Sequence, residues 1–576
     1  MKITSNLQSF NGLNLNGLKR VNNINNSHMS MPLSVINKDM VSFGGIKKIS
    51  VANINKADAK KAALSLVSST SGHRAIFPTN MFNRDLMKLF AAGVGEWVKN
   101  HPLKDKSKKP TVMIGGDTRQ ATKECMHDMA NVLISQGINV RINKKPIPTP
   151  LHALYAKENK DDVNLSILLT ASHNPWEYGG VNLVTKDGAI AGSEITQDVA
   201  NEIIDISEKG GYYIDKKNKG KETTIDEDAY QLYKTKIEKS GLIDFEKIKN
   251  SGIEVNYDSL DGTGGFVLPR LFNEKEIPLN RFSPEGRKLE GPNPEAKNLV
   301  PLMKRVQKSS AKLAIGIAND GDADRFGVID KDGSFITPND VILLAAYHLN
   351  KNKGKQGPIV KSQTTSTLLD SFAKANGLET HTTPVGFKYV GEDIIKIREK
   401  GNADILVAGE ESGGLTVPNH IPEKDGIIAV MLLTDLMAKE QKPLNEILKE
   451  IKSEMNVHFE ANSFSKKLDD DKKKEEIVNK MEAIYNDAVN GNKTQFTNGF
   501  NIDTEKTKAH RQEMINYSGK SDGVKLFFEN GSSVLVRKSG TEPKVRGYVE
   551  AYGQNDSEAL ENMHTLSNIL LNDIMQ

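Results

Sequence analysis

The chain has little cysteine, no long apolar run and almost no excess of charge of either sign. One of its 576 residues is cysteine, Cys125, which excludes an internal disulfide and a cysteine metal site. Its apolar runs fall far short of the ~20 residues that cross a bilayer, and its start does not read as a secretory leader. The 77 Lys and Arg residues balance 74 Asp and Glu residues, so no global field favours nucleic acid or an anionic membrane. We therefore expect a cytoplasmic protein without a membrane or nucleic-acid partner.

The first 50 residues differ in composition from the rest. They are rich in Asn and Ser and contain no acidic residue before Asp39, which predicts a disordered tail. Poverty in acid is also typical of an organellar transit peptide, but Arg20 is the lone arginine of this stretch. The tail is therefore the preferred interpretation.

Beyond the tail, short apolar runs alternate with stretches of helical periodicity and with Gly or Pro. One example is the run Val112–Gly115, followed by a helical pattern over Thr122–Gln136 and a second apolar run at Ile138–Arg141. This alternation predicts α/β domains with largely parallel sheets. A weak repeat of the same order at residues 359–386 predicts a second domain of the same fold.

The length exceeds what one hydrophobic core organises, so several domains are expected. The pattern changes near the end, where strands at residues 524–528 and 533–536 flank a polar turn. We predict α/β domain I over residues 51–225, domain II over 226–345, domain III over 346–455 and a C-terminal domain over 456–576.

The first candidate loop, residues 170–175, reads Thr-Ala-Ser-His-Asn-Pro and follows an apolar run. A serine-hydrolase elbow would need Gly two residues on either side of Ser172, where Thr170 and Asn174 stand. In an extended chain Ser172 and His173 would point to opposite faces, which would place His173 poorly to deprotonate Ser172. The alternative is a helix N-cap at Ser172 or Asn174.

The second loop carries Asp320, Asp322 and Asp324, followed by Arg325. Carboxylates at alternate positions repel one another strongly unless a cation lies among them, and hard oxygen ligands suit Mg²⁺. A calcium EF-hand is excluded, since it would need Gly in place of Arg325 and Glu in place of Lys331. The alternative is a solvated acidic turn.

The third and fourth loops offer polar groups for a sugar and a phosphate. Glu410 and Ser412 could accept from and donate to vicinal hydroxyls, although Glu-Glu-Ser-Gly is also an ordinary turn. The fourth loop is a compact set of donors that suits a phosphate dianion, and its alternative is a surface hairpin with incidental basic residues. Its members are Arg537, Lys538, Ser539, Gly540 and Thr541, with Arg546 nearby.

In this order, the four loops resemble those of the α-D-phosphohexomutases, the phosphoglucomutase and phosphomannomutase superfamily. Further matches stand at residues 70–74, 116–119, 291–295 and 384–388, so the resemblance runs from about residue 65 to the end. It implies a four-domain, heart-shaped architecture, with three similar mixed-sheet α/β domains and a smaller α+β C-terminal domain. Each domain would offer one loop to a central cleft.

The resemblance also implies the chemistry. Ser172 would carry a phosphoryl group and, with Asp320, Asp322 and Asp324, would bind Mg²⁺. The enzyme would be an isomerase of sugar phosphates that interconverts hexose 1-phosphate and hexose 6-phosphate through hexose 1,6-bisphosphate, which also serves as activator. We expect a monomer or a dimer.

Residue roles follow from the same resemblance. The implied catalytic residues are Ser172, His173, Arg74 and Lys388. The implied substrate-binding residues are Arg325, Glu410, Ser412, His420, Arg537, Ser539, Gly540 and Thr541.

The chain departs from the family pattern at two places. Asn182 stands where a lysine often credited with proton transfer is common, and an amide is neither acid nor base near neutral pH. His73 and Ala75 replace an aromatic or aliphatic residue and a glycine around Arg74.

The sugar is less determined than the reaction. Glucose and mannose share the hydroxyls that Glu410 and Ser412 would bind. With Glu at position 411, the loop resembles that of phosphoglucomutases more than the versions that have Met or Gln there. Glucose phosphate is favoured, with mannose phosphate next. The alternatives are a phosphoglucosamine mutase and a non-catalytic sugar-phosphate-binding protein.

Overall fold

The computed structural model describes most of the chain beyond the N-terminal tail. The described residues are 45–69, 72–284, 287, 289–401, 404–468, 470–497, 499–519, 523–538 and 544–576. The predicted tail therefore lies, up to residue 44, outside the described residues, whereas Ile46–Ser50, its last five residues, form a strand instead of a disordered segment. Within these ranges no helix combines the length and apolar character needed to span a bilayer. Five β-sheets, with helices packed against them, organise the described chain.

The first domain contains a six-stranded sheet and a separate two-stranded ribbon. Its elements are β1 (Ile46–Ser50), α1 (Lys56–Ser68), β2 (His73–Ile76), α2 (Arg84–Asn100), β3 (Thr111–Gly116), α3 (Gln120–Ser135), β4 (Asn139–Ile142), α4 (Thr149–Glu158), β5 (Leu165–Leu169), β6 (Tyr178–Thr185), α5 (Ser193–Glu208), β7 (Gly211–Asp215) and β8 (Glu222–Thr224). The ribbon pairs β1 with β7, and the sheet order is β2-β6-β5-β3-β4-β8, with β6 antiparallel to both neighbours. Strands β3 and β5 are buried at every position, as expected of central strands covered on both faces. Because these two strands are parallel, the loops after Gly116 and Leu169 meet at one edge of the sheet.

The second domain contains a five-stranded mixed sheet. Its elements are α6 (Asp226–Ser240), α7 (Phe245–Asn250), β9 (Glu254–Asp258), α8 (Leu268–Glu274), β10 (Leu279–Arg281), α9 (Ala296–Gln307), β11 (Ala314–Asn319), β12 (Phe326–Ile329) and β13 (Phe335–Ile336). The order is β10-β9-β11-β12-β13, parallel through β11 and antiparallel beyond it. The aspartate loop is the connection between β11, which is wholly buried, and β12.

The third domain has a four-stranded sheet in the order β15-β14-β16-β17. Its elements are α10 (Pro338–Tyr347), β14 (Ile359–Ser362), α11 (Leu368–Ala375), β15 (Thr380–Thr383), α12 (Phe387–Glu399), β16 (Val407–Glu410), β17 (Gly414–Thr416), α13 (Gly426–Glu440) and α14 (Leu444–Glu454). The unit β14-α11-β15 has the same parallel strand-helix-strand order as β3-α3-β4, which confirms the predicted repeat.

The C-terminal domain has a different architecture. Its elements are β18 (His458–Lys467), α15 (Asp471–Val489), α16 (Thr504–Ser518), β19 (Gly523–Phe527), β20 (Ser533–Lys538), β21 (Lys544–Gly553) and α17 (Asp556–Ile569). The sheet order β18-β21-β20-β19 is antiparallel throughout, and the predicted hairpin joins β19 to β20. Short 3₁₀ and π-helical segments lie at Thr263–Phe266, His348–Asn352, Gln495–Thr497 and Leu570–Ile574. The predicted fold class, three α/β domains followed by an α+β domain, is confirmed.

Hydrophobic packing joins the first three domains more closely than the fourth. The largest apolar cluster includes Leu154 of the first domain, Ile317 of the second and Leu433 of the third. The C-terminal domain has an apolar cluster of its own, which includes Met481, Val536 and Leu566. The loops after β5 and β11 are thus held by a common core, which the C-terminal domain also reaches through Phe459 of β18, while the loop after β20 follows a strand of the C-terminal cluster.

Candidate active site

The serine loop begins where β5 ends and turns sharply at Ser172. Ser172 has φ 49°, in the left-handed region that residues with a side chain rarely adopt, and its N–H donates to Thr170 Oγ1 at 2.8 Å. Its Oγ lies 2.6 Å from Asp320 Oδ2 and 3.3 Å from His173 Nδ1. The expectation that Ser172 and His173 point to opposite faces is therefore wrong, because it assumed an extended backbone.

The buried side chain of Arg119 donates hydrogen bonds to the backbone of this turn. Arg119 Nη2 donates to the carbonyl oxygens of Ser172 and Asn174, each at 2.6 Å, and Nη1 donates to that of Pro175. Arg119 Nε pairs with Asp117 Oδ2 at 3.0 Å, and both side chains are fully buried. The sequence indicated residues 116–119 only as a family match. Their contacts to the backbone of another loop have no signal in the sequence.

The aspartate loop brings three buried carboxylates together. Single oxygens of Asp320, Asp322 and Asp324 lie within 4.8 Å of one another. Asp322 Oδ1 and Asp324 Oδ1 are buried and have no hydrogen-bond partner among the described residues. A buried anionic oxygen without a partner is strongly unfavourable. Two such oxygens in one cluster fit a hard divalent cation.

The pKa values of the three carboxyls reflect this crowding. Burial, with the neighbouring Asp324, raises the pKa of Asp320 to about 6. Burial and the other two aspartates hold the pKa of Asp322 well above its usual range. Burial opposes ionisation of Asp324 as well, but Lys424 and Arg325 bring its pKa below the usual value. The cluster therefore contains more negative charge than its protein neighbours compensate.

Two residues from outside the aspartate loop bond to its carboxylates, and the sequence did not indicate either of them. Thr149, at the start of α4, donates its hydroxyl to Asp322 Oδ2 at 2.6 Å and its N–H to the Asp322 carbonyl at 2.8 Å. Lys424 Nζ pairs with Asp324 Oδ2 and lies 2.9 Å from Glu423 Oε1. These partners are 173 and 100 residues away along the chain, so only the tertiary structure reveals them.

Cationic and neutral donors surround the serine. Arg74 Nη1 donates to Asn174 Oδ1 at 2.9 Å. Arg325 donates its N–H to Asp320 Oδ1 at 3.0 Å and its Nη1 to the Ser412 carbonyl at 3.2 Å, which links the aspartate loop to the third loop. Burial and the positive charges of Arg325 and Arg74 lower the pKa of His173 well below its usual value. His173 is therefore neutral near pH 7.

The third loop is a tight hairpin between β16 and β17. Glu410 is buried, and its Oε1 accepts from the N–H of Gly386 at 2.7 Å, while Ser412 Oγ lies 3.5 Å from Oε2. Burial, with the neighbouring Glu411, raises the pKa of Glu410 to about 7. Lys388 lies two residues beyond Gly386 on α12 and is also buried, which lowers its pKa. The structure thus joins Glu410 to the start of α12, whereas the carboxylate that acts on the Lys388 amino group is that of Glu392.

The remaining candidate residues are His420 and those of the fourth loop. His420 is buried, and its Nε2 hydrogen-bonds to Asp425 Oδ2 at 2.7 Å rather than to another candidate residue. Arg537 lies opposite Arg546 on the paired strands β20 and β21. Ser539, Gly540 and Thr541 lie outside the described residues.

The two departures from the family pattern have structural settings. His73 is buried, with Nδ1 at 2.6 Å from Ser65 Oγ on α1 and Nε2 at 2.6 Å from the Met81 carbonyl, to which it must donate. Asn182 is also buried, and a Cβ added at Gly72 would lie 2.0 Å from its Oδ1. His73 therefore fastens the strand that carries Arg74. The glycine at position 72 leaves room for the Asn182 amide, which a larger residue there would displace.

Comparisons with known proteins cover most of the chain. The models of the phosphoglucomutase/phosphomannomutase α/β/α domains I, II and III match residues 66–210, 231–333 and 337–455, and the model of its C-terminal domain matches residues 454–564. A phosphoglucomutase/phosphomannomutase of Thermococcus kodakarensis is 29% identical over 81% of this chain and 92% of its own. A protein of Methanobrevibacter smithii, named a probable phosphoglucosamine mutase, is 30% identical over 78% of this chain and 88% of its own.

A solved structure shares the fold. The open form of pp63/parafusin, a phosphoglucomutase from Paramecium, superposes with a TM-score of 0.68 over 88% of this chain and 94% of its own. The two sequences are 22% identical, so this likeness concerns the fold alone.

Proposed function

The chain belongs to the phosphoglucomutase/phosphomannomutase family and is a phosphohexomutase; on that premise we propose that it interconverts glucose 1-phosphate and glucose 6-phosphate through a phosphorylated Ser172. The observation that carries this proposal is the position of Ser172 Oγ, 2.6 Å from Asp320 in a buried cluster of three aspartates. A serine there is placed to carry a phosphoryl group beside a divalent cation.

The donor set fits Mg²⁺. Asp320, Asp322 and Asp324 would hold the ion. The oxygens of Asp322 and Asp324 that accept no hydrogen bond from the described residues would offer it ligand atoms. When bound, Mg²⁺ would neutralise the charge that these carboxylates and a phosphoryl group bring together. Thr149 donates a hydrogen bond to Asp322 and Lys424 pairs with Asp324, both from outside the cluster. These contacts would fix the positions of the carboxylates for the ion.

Phosphoryl transfer needs a proton acceptor, and His173 is the side chain best placed for it. As the bond from phosphorus to Ser172 Oγ breaks, a bond to the attacking sugar oxygen forms, and the proton of the sugar hydroxyl goes to His173. His173 Nδ1, 3.3 Å from Oγ, then returns that proton to the dephosphorylated serine. The lowered pKa of His173 keeps it neutral for this task, whereas the amide of Asn182 cannot perform it.

The other end of the sugar would be held by the third and C-terminal domains. Glu410 and Ser412 would bind the O3 and O4 hydroxyls, which stay near the middle as the sugar bisphosphate turns over. Arg537, with Ser539, Gly540 and Thr541, would hold the distal phosphate. A dianion there would offset the repulsion between Arg537 and Arg546, which face each other across the strands. Arg74, Arg325, Lys388 and His420 would complete the electropositive lining.

Hexose 1,6-bisphosphate would serve as both intermediate and activator, because it phosphorylates Ser172 whenever the phosphoryl group is lost. Mannose phosphate is the second substrate, since it shares O3 and O4 with glucose. A phosphoglucosamine mutase is the alternative enzyme, favoured by relatives of that name. A binding protein without turnover is the alternative from another class.

The test follows glucose 6-phosphate formation from glucose 1-phosphate with Mg²⁺ and a trace of glucose 1,6-bisphosphate. Product from the wild type but not from Ser172→Ala is the expected result. Parallel assays with mannose and glucosamine phosphates identify the sugar. No turnover of any of the three, with intact binding, would replace the proposal by the non-catalytic alternative.

A further inference from the structure

Glu411, between the two residues proposed to bind the sugar, has its carboxylate occupied by the protein. Its Oε2 accepts the hydroxyl of Thr364 at 2.6 Å and that of Ser362 at 3.3 Å, both at the end of β14. Its Oε1 accepts the hydroxyl of Tyr548 at 3.2 Å. Both oxygens therefore accept hydrogen bonds from the protein itself.

Tyr548 belongs to the C-terminal domain and lies beside the proposed phosphate-binding arginines. It is two residues from Arg546 on β21, so the two side chains share one face of the strand. Arg537 lies opposite Arg546 in the strand register. The bond from Tyr548 to Glu411 thus joins the sugar-binding loop of one domain to the phosphate-binding strands of another.

The contacts between these two domains combine hydrogen bonds with apolar packing, in which Phe459 and Tyr552 of the C-terminal domain contact the largest apolar cluster. Tyr517 donates to Asp393 Oδ1 at 2.6 Å, Lys525 to the Gln363 carbonyl at 2.9 Å, and the N–H of Thr367 to Glu550 Oε1 at 2.9 Å. The apolar core of the C-terminal domain is a separate cluster. Partly polar interfaces of this kind allow domains to shift relative to each other. Of the bonds named, that of Tyr548 to Glu411 is the one that reaches the sugar-binding loop itself, so it bears most directly on the distance between that loop and the phosphate-binding strands.

We propose that Glu411 and Tyr548 are positioning residues that hold the phosphate-binding strands at the distance from the sugar-binding loop that a hexose phosphate requires. This inference rests on the proposed function. It assigns the residue at position 411 to domain placement, rather than to recognition of the sugar.

The test compares Tyr548→Phe and Glu411→Met with Tyr517→Phe, which removes another bond between the same domains without touching the sugar-binding loop. Loosening the domain lowers the fraction of protein that is ready to bind, which raises KM and leaves kcat nearly unchanged. We expect KM for the hexose 1-phosphate to rise about fivefold in Tyr548→Phe, as for loss of one hydrogen bond at a half-buried site. The rise should be at least as large in Glu411→Met, which also removes the bonds from Thr364 and Ser362. KM of the double variant should not exceed that of the more affected single variant, because both substitutions remove the same bond. Tyr517→Phe should change KM less than about twofold.

Three kinetic results would overturn the proposal. These are an equal rise in KM for Tyr517→Phe, additive effects in the double variant, or a fall in kcat at unchanged KM, which indicates only a loss of folded enzyme.

A second readout does not depend on activity. Hydrogen exchange of the Thr367 amide, which is bonded to Glu550 across the same interface, reports docking of the C-terminal domain. Faster exchange in Tyr548→Phe and Glu411→Met than in the wild type supports the inference even if the wild type turns over no sugar phosphate. Unchanged exchange would refute it in either case.

Discussion

The aspartate cluster should make the metal-free protein less stable than a variant with one charge fewer. Oxygens of the three carboxylates lie within 4.8 Å of one another. At an effective dielectric constant of about 20, two unit charges about 5 Å apart repel by about 3 kcal/mol. Lys424 and Arg325 offset part of this repulsion. We therefore expect Asp322→Asn to raise the free energy of unfolding of the metal-free protein by about 2 kcal/mol at pH 8.

The sign of the pH dependence follows from the raised pKa of Asp322. Between the unfolded and the folded pKa of this carboxyl, the folded protein binds more protons than the unfolded chain. The stability of the wild type therefore falls as the pH rises through that interval. The amide that replaces this carboxyl in Asp322→Asn does not titrate, so the advantage of the variant should grow with pH and then level off above the folded pKa.

The assay is urea unfolding followed by circular dichroism, with EDTA or with Mg²⁺, at pH 5.5 and pH 8. Mg²⁺ at about a hundred times its Kd should stabilise the wild type by about 2.7 kcal/mol and should have little effect on Asp322→Asn. The exposed Asp187→Asn is the matched control. Equal stabilisation of both proteins by Mg²⁺ would place the ion elsewhere. A metal-free Asp322→Asn less stable than the wild type would refute the repulsion argument.

Two further predictions concern the serine turn and the sugar-binding loop. Arg119→Lys keeps the charge beside Asp117 but loses donors to the backbone of the turn, so kcat should fall about 100-fold. The circular dichroism spectrum should not change. A fall in kcat of less than threefold would show that the turn keeps its conformation without Arg119. The pKa of Glu410, about 7, predicts that kcat/KM rises with pH through that value as the carboxylate forms and accepts sugar hydroxyls. In Glu410→Gln the rise in kcat/KM through that pH should disappear, and only the titration of the substrate phosphate should remain. Identical pH profiles of kcat/KM for wild type and variant would exclude Glu410 as the source of the rise.

The sequence indicated which residue types belong to the candidate site, but not how they are arranged. Ser172, the three aspartates, Glu410 and Ser412 stand in short contiguous motifs at strand ends, where residue type alone suggests a role. The contact between Ser172 and His173 could not be predicted, because it depends on a left-handed residue that carries a side chain.

Residues that act across domains left no local signal. Thr149 and Lys424 become partners of the aspartate loop only through docking of separate domains. The ring of His73 is bonded to Ser65 of α1, which lies before the first residue matched by the family's domain I model. Its partner therefore had no motif to indicate it.

The support that the aspartate loop receives from both sides has a consequence for biosynthesis. The loop belongs to the second domain, but Thr149 comes from the first and Lys424 from the third, at position 424 of 576. A ribosome releases Ser172 and the aspartates well before it releases Lys424. Under the proposed function, the nascent chain would therefore carry Ser172 before the proposed cation site is complete, and phosphoryl transfer would begin only after the third domain has folded onto the first two.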